Sequence, residues 1–318
     1  METSLAALLA ALATMAAPLI LAALGETLTE KAGVVNLSLD GAILLSAMTG
    51  FAVASQSQSL LLGFAAAGLC GAMVAAVLAI VGIWLRQSQV AVGFALTFLC
   101  RDLAYFLGNP YARQQGPQLE RLPIPGLADL PLLGEAFFRH SLIVYLSFLA
   151  IPLCQYFLYH TKYGLIIRAT GENPEGCWAR GINPARVQIL ATLAGGALVG
   201  LAGAAFSLAV KPGWGHPQGC EGIGWIALAL VIFGGWHPLR VVIGAYIFGL
   251  LQSLGVSFQD VFTFIPAQVL QVAPFPLMIF TLVLIHLSHT TSNRRLRRLV
   301  HFFSGRPPRW LGRPVRLS

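Results

Sequence analysis

Two sets of residues have types and spacing that could do chemistry. The first is Gly171-Glu172-Asn173-Pro174-Glu175-Gly176, followed by Cys177, Trp178 and Gly181. Its G-x-x-x-x-G spacing matches a phosphate-cradling loop, in which the next two residues must be Lys and Ser or Thr. Cys177 and Trp178 stand there instead, so this loop has no ATP chemistry of its own. It does carry helix punctuation. Asn173 is a good N-cap, Pro174 suits the first helical position, Glu175 suits the positive end of the dipole, and Gly181 is a natural terminator. The pattern predicts a helix of about two turns, roughly 10 Å long, with Cys177 and Trp178 as apolar knobs. So short a helix cannot stabilise itself in water, and an exposed Trp on it points to a docking site for another protein. The plainer reading is a structured loop.

The second set is polar groups in apolar surroundings. Asn36 and Gln89 are candidates for lining a path through the protein, with local capping and turn bonding as the alternative. Arg101 and Asp102 interrupt the apolar run Val90–Leu107. Being adjacent, they should not face each other on a regular helix. A charge at that depth marks a path or a subunit contact, unless the helix ends early and the pair reaches the outer headgroups, which is the simpler expectation. No H-E-x-x-H or G-x-S-x-G occurs, so no catalytic residue and no metal ligand is assigned. The five cysteines, an odd number without a C-x-x-C pair, support neither a disulfide framework nor a zinc site.

The elements that must position these groups follow from composition. The 318 residues are 57% hydrophobic and only 10% charged, with a mean hydropathy of +0.75. A soluble chain carries about a quarter charged residues, so this is an integral membrane protein. Eight arginines between Ser288 and Ser318 account for the whole net charge of +8. The basic excess therefore describes a tail, reads as lying beside anionic headgroups on the cytoplasmic side, and excludes a nucleic-acid face.

Along the chain, Leu5–Leu24 is the first span and is longer than a signal-peptide core. Gly25–Gly41, with Glu26, Glu30, Lys31 and Asp40, is too charged to span and too apolar for a simple loop. Leu44–Ala54 reads as a short second helix, Leu60–Leu85 as the third span, Val90–Leu107 as the fourth and Leu142–Tyr159 as the fifth. Asn109–His140, with five prolines, reads as a long water-facing loop. The loop His160–Arg186 has a basic surplus that puts it on the side of the tail. Val187–Val210 is the sixth span and carries Gly196 and Gly200 as a small-xxx-small face. Lys211–Gly222 is a glycine-rich break, Ile223–Trp236 is too short to cross alone, and Val241–Leu287 holds two crossings. The only acids near span interiors are then Asp102 and Asp260. The sum is an all-α, polytopic transmembrane helical bundle of about nine spans (eight to ten), with short broken or re-entrant segments. Residues 1–290 form the transmembrane domain and 291–318 a basic cytoplasmic tail.

Longer stretches resemble a known family. Glu30-Lys-Ala-Gly-Val-Val-Asn-Leu-Ser-Leu-Asp-Gly41 resembles the early signature of ABC-type permeases for simple sugars, nucleosides and branched-chain amino acids, looking closest to the nucleoside and simple-sugar members. Gly171–Pro174 with Ala179–Asn183 resembles their ATPase-coupling loop, and Gly222–Pro238 a third block. The likeness runs in register over most of Leu5–Leu287.

The resemblance implies a type II importer fold. Gly171, Glu172, Asn173, Pro174, Trp178 and Gly181 would form the ATPase-coupling element, and Asn36, Gln89, Gly222 and Gly224 would line the translocation path. This chain would hold no cofactor, ATP and magnesium being bound by separate ABC ATPase subunits. Its other partners would be a second permease subunit, an extracytoplasmic substrate-binding protein and membrane lipid, with no nucleic acid. The solute expected is uncharged and polar, a nucleoside before a simple sugar, moved by alternating access. A passive channel or ion-coupled carrier is the alternative, and an intramembrane enzyme a distant third. The Arg101-Asp102 pair departs from the family pattern, and the Arg tail is longer than usual.

Overall fold

The computed structural model describes residues 5–130, 133–258 and 305–313, with positions 276, 279 and 283. The helices are α1 (Leu5–Lys31), α2 (Leu39–Ser57), α3 (Leu60–Ala79), α4 (Gln89–Gly108), a short α5 (Leu133–Phe137) and α6 (Leu142–His160). They continue as α7 (Lys162–Glu172), α8 (Pro174–Ala179), α9 (Pro184–Ala205), α10 (Ile223–Phe233) and α11 (Pro238–Phe258). Wider π-turns prolong α3 over Ile80–Trp84 and α9 over Phe206–Val210. Among the described residues six helices are long and apolar enough to cross a bilayer: Ala6–Lys31, Leu39–Ser57, Leu60–Trp84, Gln89–Tyr111, Leu142–His160 and Pro184–Val210. The polytopic helical bundle is therefore as expected. Of the two crossings expected in Val241–Leu287, α11 supplies the start, and the rest, with Asp260, lies outside the described residues. So does most of the arginine tail.

Packing is built on small residues. Gly196 and Gly200 of α9 lie so close to Gly71 and Ala67 of α3 that a Cβ on Gly71, Gly196 or Gly200 would collide with the facing helix. Gly195 meets Gly25 of α1 in the same way. Lipid tails are as apolar as the helices, so no hydrophobic force drives the helices together, and close backbone contact supplies the attraction instead. Helix α9 thus sits between α1 and α3 at the centre of the bundle.

Several boundaries differ from the sequence reading. Helix α1 does not stop at Leu24 but runs to Lys31, and α2 begins at Leu39 rather than Leu44. The reason is that Glu26, Glu30 and Asp40 are buried in protein rather than set against lipid. Carboxylates desolvated there are tolerable because each finds a hydrogen-bond donor. This also corrects the statement that Asp102 and Asp260 are the only acids near span interiors. The polar loop after α6 contains an unforeseen helix, α7, begun by Thr161, whose Oγ1 accepts from the Gly164 N–H at 3.1 Å. The Asn109–His140 loop pairs two three-residue strands, β1 (Arg121–Pro123) and β2 (Arg139–Ser141), antiparallel with Leu122 opposite His140.

Candidate translocation and coupling sites

The chain breaks twice, and the breaks meet inside the bundle. Between α1 and α2, residues 32–38 run alongside α4 without a helix of their own, so their backbone groups need outside partners. Gln89 Oε1 accepts the Val35 N–H at 2.9 Å, Glu26 Oε1 accepts the Asn36 N–H at 3.2 Å, and Thr97 Oγ1 donates to the Leu37 carbonyl at 2.6 Å. Asn36 Oδ1 accepts from the Ser38 N–H and hydroxyl, the local bonding that was its alternative reading. Thr97 is eight positions beyond Gln89, about 12 Å along the helix, so the segment climbs to near the middle of α4. There α2 starts.

The second break, 211–222, descends from the opposite face. Trp214 holds the Arg113 N–H through its carbonyl at 3.1 Å. The break ends where Asp40 Oδ1 accepts from the N–H groups of Gly222 at 2.7 Å and Gly224 at 3.2 Å. Asp40 thereby caps α10 from another helix, replacing the missing partners of its first turn. Gly224 is required by proximity, since a Cβ there would strike the backbone at Leu39 and Asp40. Of the four residues expected to line the path, Asn36 and Gln89 brace the first break and Gly222 and Gly224 form the junction. All are within the bundle of this single chain, Asn36 and Gln89 being buried.

Beside the junction lies a face that the sequence reading did not assemble. Helix α4 does not end early but continues to Gly108, leaving Arg101 and Asp102 well inside its length. Contrary to the expectation for neighbours on a helix, Arg101 Nε reaches Asp102 Oδ1 at 3.4 Å, because the long arginine side chain folds back. Both remain exposed. The Arg101 guanidinium lies 5.5 Å from the Phe98 ring centre, and Phe94 meets Trp225 of α10 at 5.5 Å. Tyr105 donates its hydroxyl hydrogen to Glu221 and packs against Trp214 and His216. The Glu221 carboxylate also accepts the Gln218 N–H at 2.8 Å and the Gly219 N–H at 2.5 Å. Helix α4, the second break and the start of α10 thus bring together an ion pair, a carboxylate and several aromatic rings.

On the opposite side of the bundle sits α8. Asn173 Oδ1 accepts the Gly176 N–H at 2.9 Å, Pro174 takes the first helical position, and Gly181 has φ +81°. Asn183 then caps α9 by accepting the Arg186 N–H at 3.2 Å. Trp178 is 48% exposed, but Cys177 is buried. The expectation of two apolar knobs is therefore corrected to one, because Cys177 turns inward to the Thr170 hydroxyl. Gly171 packs on the backbone of Lys31 and Gly33, joining the coupling region to the first break.

This architecture, a multi-pass helical bundle with two broken segments meeting inside, is that of a membrane permease. A family model described as the permease component of the branched-chain amino acid transport system matches residues 8–286. The chain belongs to that family of ABC transporter permeases, multi-pass proteins of the cytoplasmic membrane. A putative glucose ABC transporter permease, TsgC13 of Haloferax volcanii, is 42% identical over 260 residues, covering 80% of this chain and 78% of that protein. The guanosine ABC transporter permease NupQ of Bacillus subtilis is 33% identical, covering 84% and 88%. The nucleoside ABC transporter permease NupC of Lactococcus lactis is 29% identical, covering 85% and 88%. No solved structure matches.

Proposed function

We propose that the chain imports an uncharged polar solute, a nucleoside first and a simple sugar second, by alternating access. It would pair with a second permease subunit and take solute from an extracytoplasmic binding protein. Separate ATPase subunits, holding ATP and magnesium, would dock on Gly171, Glu172, Asn173, Pro174, Trp178 and Gly181. Residues 1–290 would be the permease domain, with the tail and the loop 160–186 cytoplasmic.

The observation that carries the reading is the junction of Asp40 with Gly222 and Gly224. Paired broken helices that meet within a bundle are the common construction of a solute path, since irregular backbone at membrane depth is tolerated only where it lines a cavity or is buried in protein. Asn36 and Gln89 set the position of that backbone. The ranking of solutes draws on the relatives' names and on the rings of Phe94, Phe98, Tyr105 and Trp225, which offer flat apolar surface to a base or sugar beside polar groups for its hydroxyls. Fixed charge is not lacking inside the bundle, where Glu26, Glu30 and Asp40 are buried. All three, however, are engaged by Asn36, Trp236 and the α10 amides. That engagement gives them a structural use and weighs against the ion-coupled carrier.

Affinity purification in mild detergent, followed by uptake of labelled nucleosides, ribose and leucine in cells carrying the partner subunits, tests the reading. An ATPase chain should accompany the permease, and nucleoside uptake should be the fastest. Leucine-selective transport indifferent to excess nucleoside would overturn the ranking, and purification without any ATPase would overturn the importer.

A further inference from the structure

The described part of the arginine tail, residues 305–313, is folded back onto the face that carries α8. The Trp310 N–H donates to the Gly171 carbonyl at 2.9 Å, and the Gly312 N–H donates to the Gly33 carbonyl at 3.0 Å. Pro308 is buried, and Leu311 packs on the edge of the main core. A Cβ on Gly312 would come within 3.2 Å of the Val35 side chain, and Gly305 lies so near the Gly235 backbone that a Cβ would collide with it. Arg309 stands 3.9 Å from Glu172, with both side chains exposed. Such an exposed pair contributes little, so backbone bonds and packing hold the segment.

These contacts have a common feature. Gly171 lies at the end of α7, two residues before the α8 cap Asn173, Gly33 is in the first break, and Gly235 follows α10, the helix capped at its other end by Asp40. One short strip of tail therefore touches the coupling region, the first break and the far end of the second broken helix. A helix of six residues cannot transmit force unless its base is fixed. Direct packing of Gly171 on Gly33 supplies part of that fixation, and the tail adds a hydrogen bond to each of those two residues.

We propose that residues 305–313 are a clasp that ties the base of the coupling helix to the broken segments, so that movement of α8 is passed to the Asp40 junction. The proposal rests on the reading of α8 as the ATPase contact. The tail's role is transmission; the ATPase is held by α8 itself.

The test uses the complete transporter, permease with ATPase and binding protein, in proteoliposomes. One variant ends at residue 304. A second, Trp310→Pro, removes the N–H that reaches Gly171 together with the indole ring. Both should insert and bring the ATPase along in wild-type amount, while solute moved per ATP falls on the order of fivefold or more, the lower range of allosteric coupling. Undiminished transport per ATP in both variants overturns the clasp. Loss of the ATPase from both overturns it too, making the tail a docking surface. A loss reproduced in the intact chain merely by omitting anionic lipid would make the tail a membrane anchor and also overturns it. Trp178→Asp is assayed in parallel: if that variant couples normally, the reading of α8 has failed independently of the clasp.

Discussion

Asp40 accepts a hydrogen bond from the backbone N–H of Gly224, a residue 184 positions later, and the two helices that start at Leu39 and Ile223 are thereby joined at their N-terminal ends. Two positive helix ends would repel each other. A carboxylate between them neutralises both and satisfies the amides of Gly222 and Gly224.

Asp40→Ala should therefore cost about 2–3 kcal/mol, the penalty for stranding buried donors of a charged acceptor. Asp40→Asn, which keeps an acceptor, should recover part of it. Thermal unfolding in detergent reads the difference, and an Ala variant as stable as the wild type would contradict the capping role.

The centre of the bundle makes a second demand. Gly200→Val places a branched side chain against the Ala67 carbonyl, where no space exists. Overpacking of this kind costs about 1–3 kcal/mol in yielding cores, and backbone on the far side yields least. The variant should fail to give a monodisperse peak in gel filtration, whereas Gly215→Ala, which meets nothing within 4 Å, should behave normally.

At the coupling end, Gly181→Val forces a β-branched residue into a left-handed conformation at a cost of roughly 1–2 kcal/mol, and Trp178→Asp removes an exposed ring. Each should lower transport per ATP while leaving insertion intact. Wild-type stimulation of the ATPase in both would remove α8 from the docking surface.

How much of this could be read from the sequence depended on how far apart the interacting residues lie. Helix α8 was legible because Asn173, Pro174 and Gly181 act within a few residues of one another. The Gly196 and Gly200 face was legible for the same reason. The ends of α1 and α2 were not, since a charge count treats Glu26 and Glu30 as exposed. Nothing local shows that the Trp236 indole, 206 residues away, donates to Glu30. Asp40 carried a weak signal, an acid in the first turn of a helix after an apolar break. The tail contact carried none, because it uses backbone groups that every residue has.

On topology, the Gln118 loop and α8 lie on opposite faces of the bundle. With the basic loop cytoplasmic, Gln118→Cys should react with an impermeant thiol reagent on intact cells, and Arg180→Cys should react only after permeabilisation. The native cysteines give little background, four of the five being buried. Labelling of position 180 from outside would invert the orientation.

The last prediction concerns the exposed pair on α4. If Arg101 and Asp102 faced lipid, replacing both by leucine would relieve a desolvation cost and leave transport intact, because charges at membrane depth are expensive wherever hydrocarbon surrounds them. The surroundings argue otherwise. Phe98, Tyr105, Glu221 and Trp225 lie on the same side as the junction of the two breaks, and rings beside a carboxylate and a guanidinium match a hydroxylated solute better than an acyl chain. Arg101→Leu combined with Asp102→Leu is therefore expected to insert and bind the ATPase but to lower uptake about tenfold, the factor that roughly 1.4 kcal/mol of lost recognition produces. Tyr105→Phe, which removes only the donor to Glu221, should lower it less. Initial uptake rates at equal membrane abundance decide the matter, and a double-leucine variant transporting as well as the wild type would assign this face to lipid.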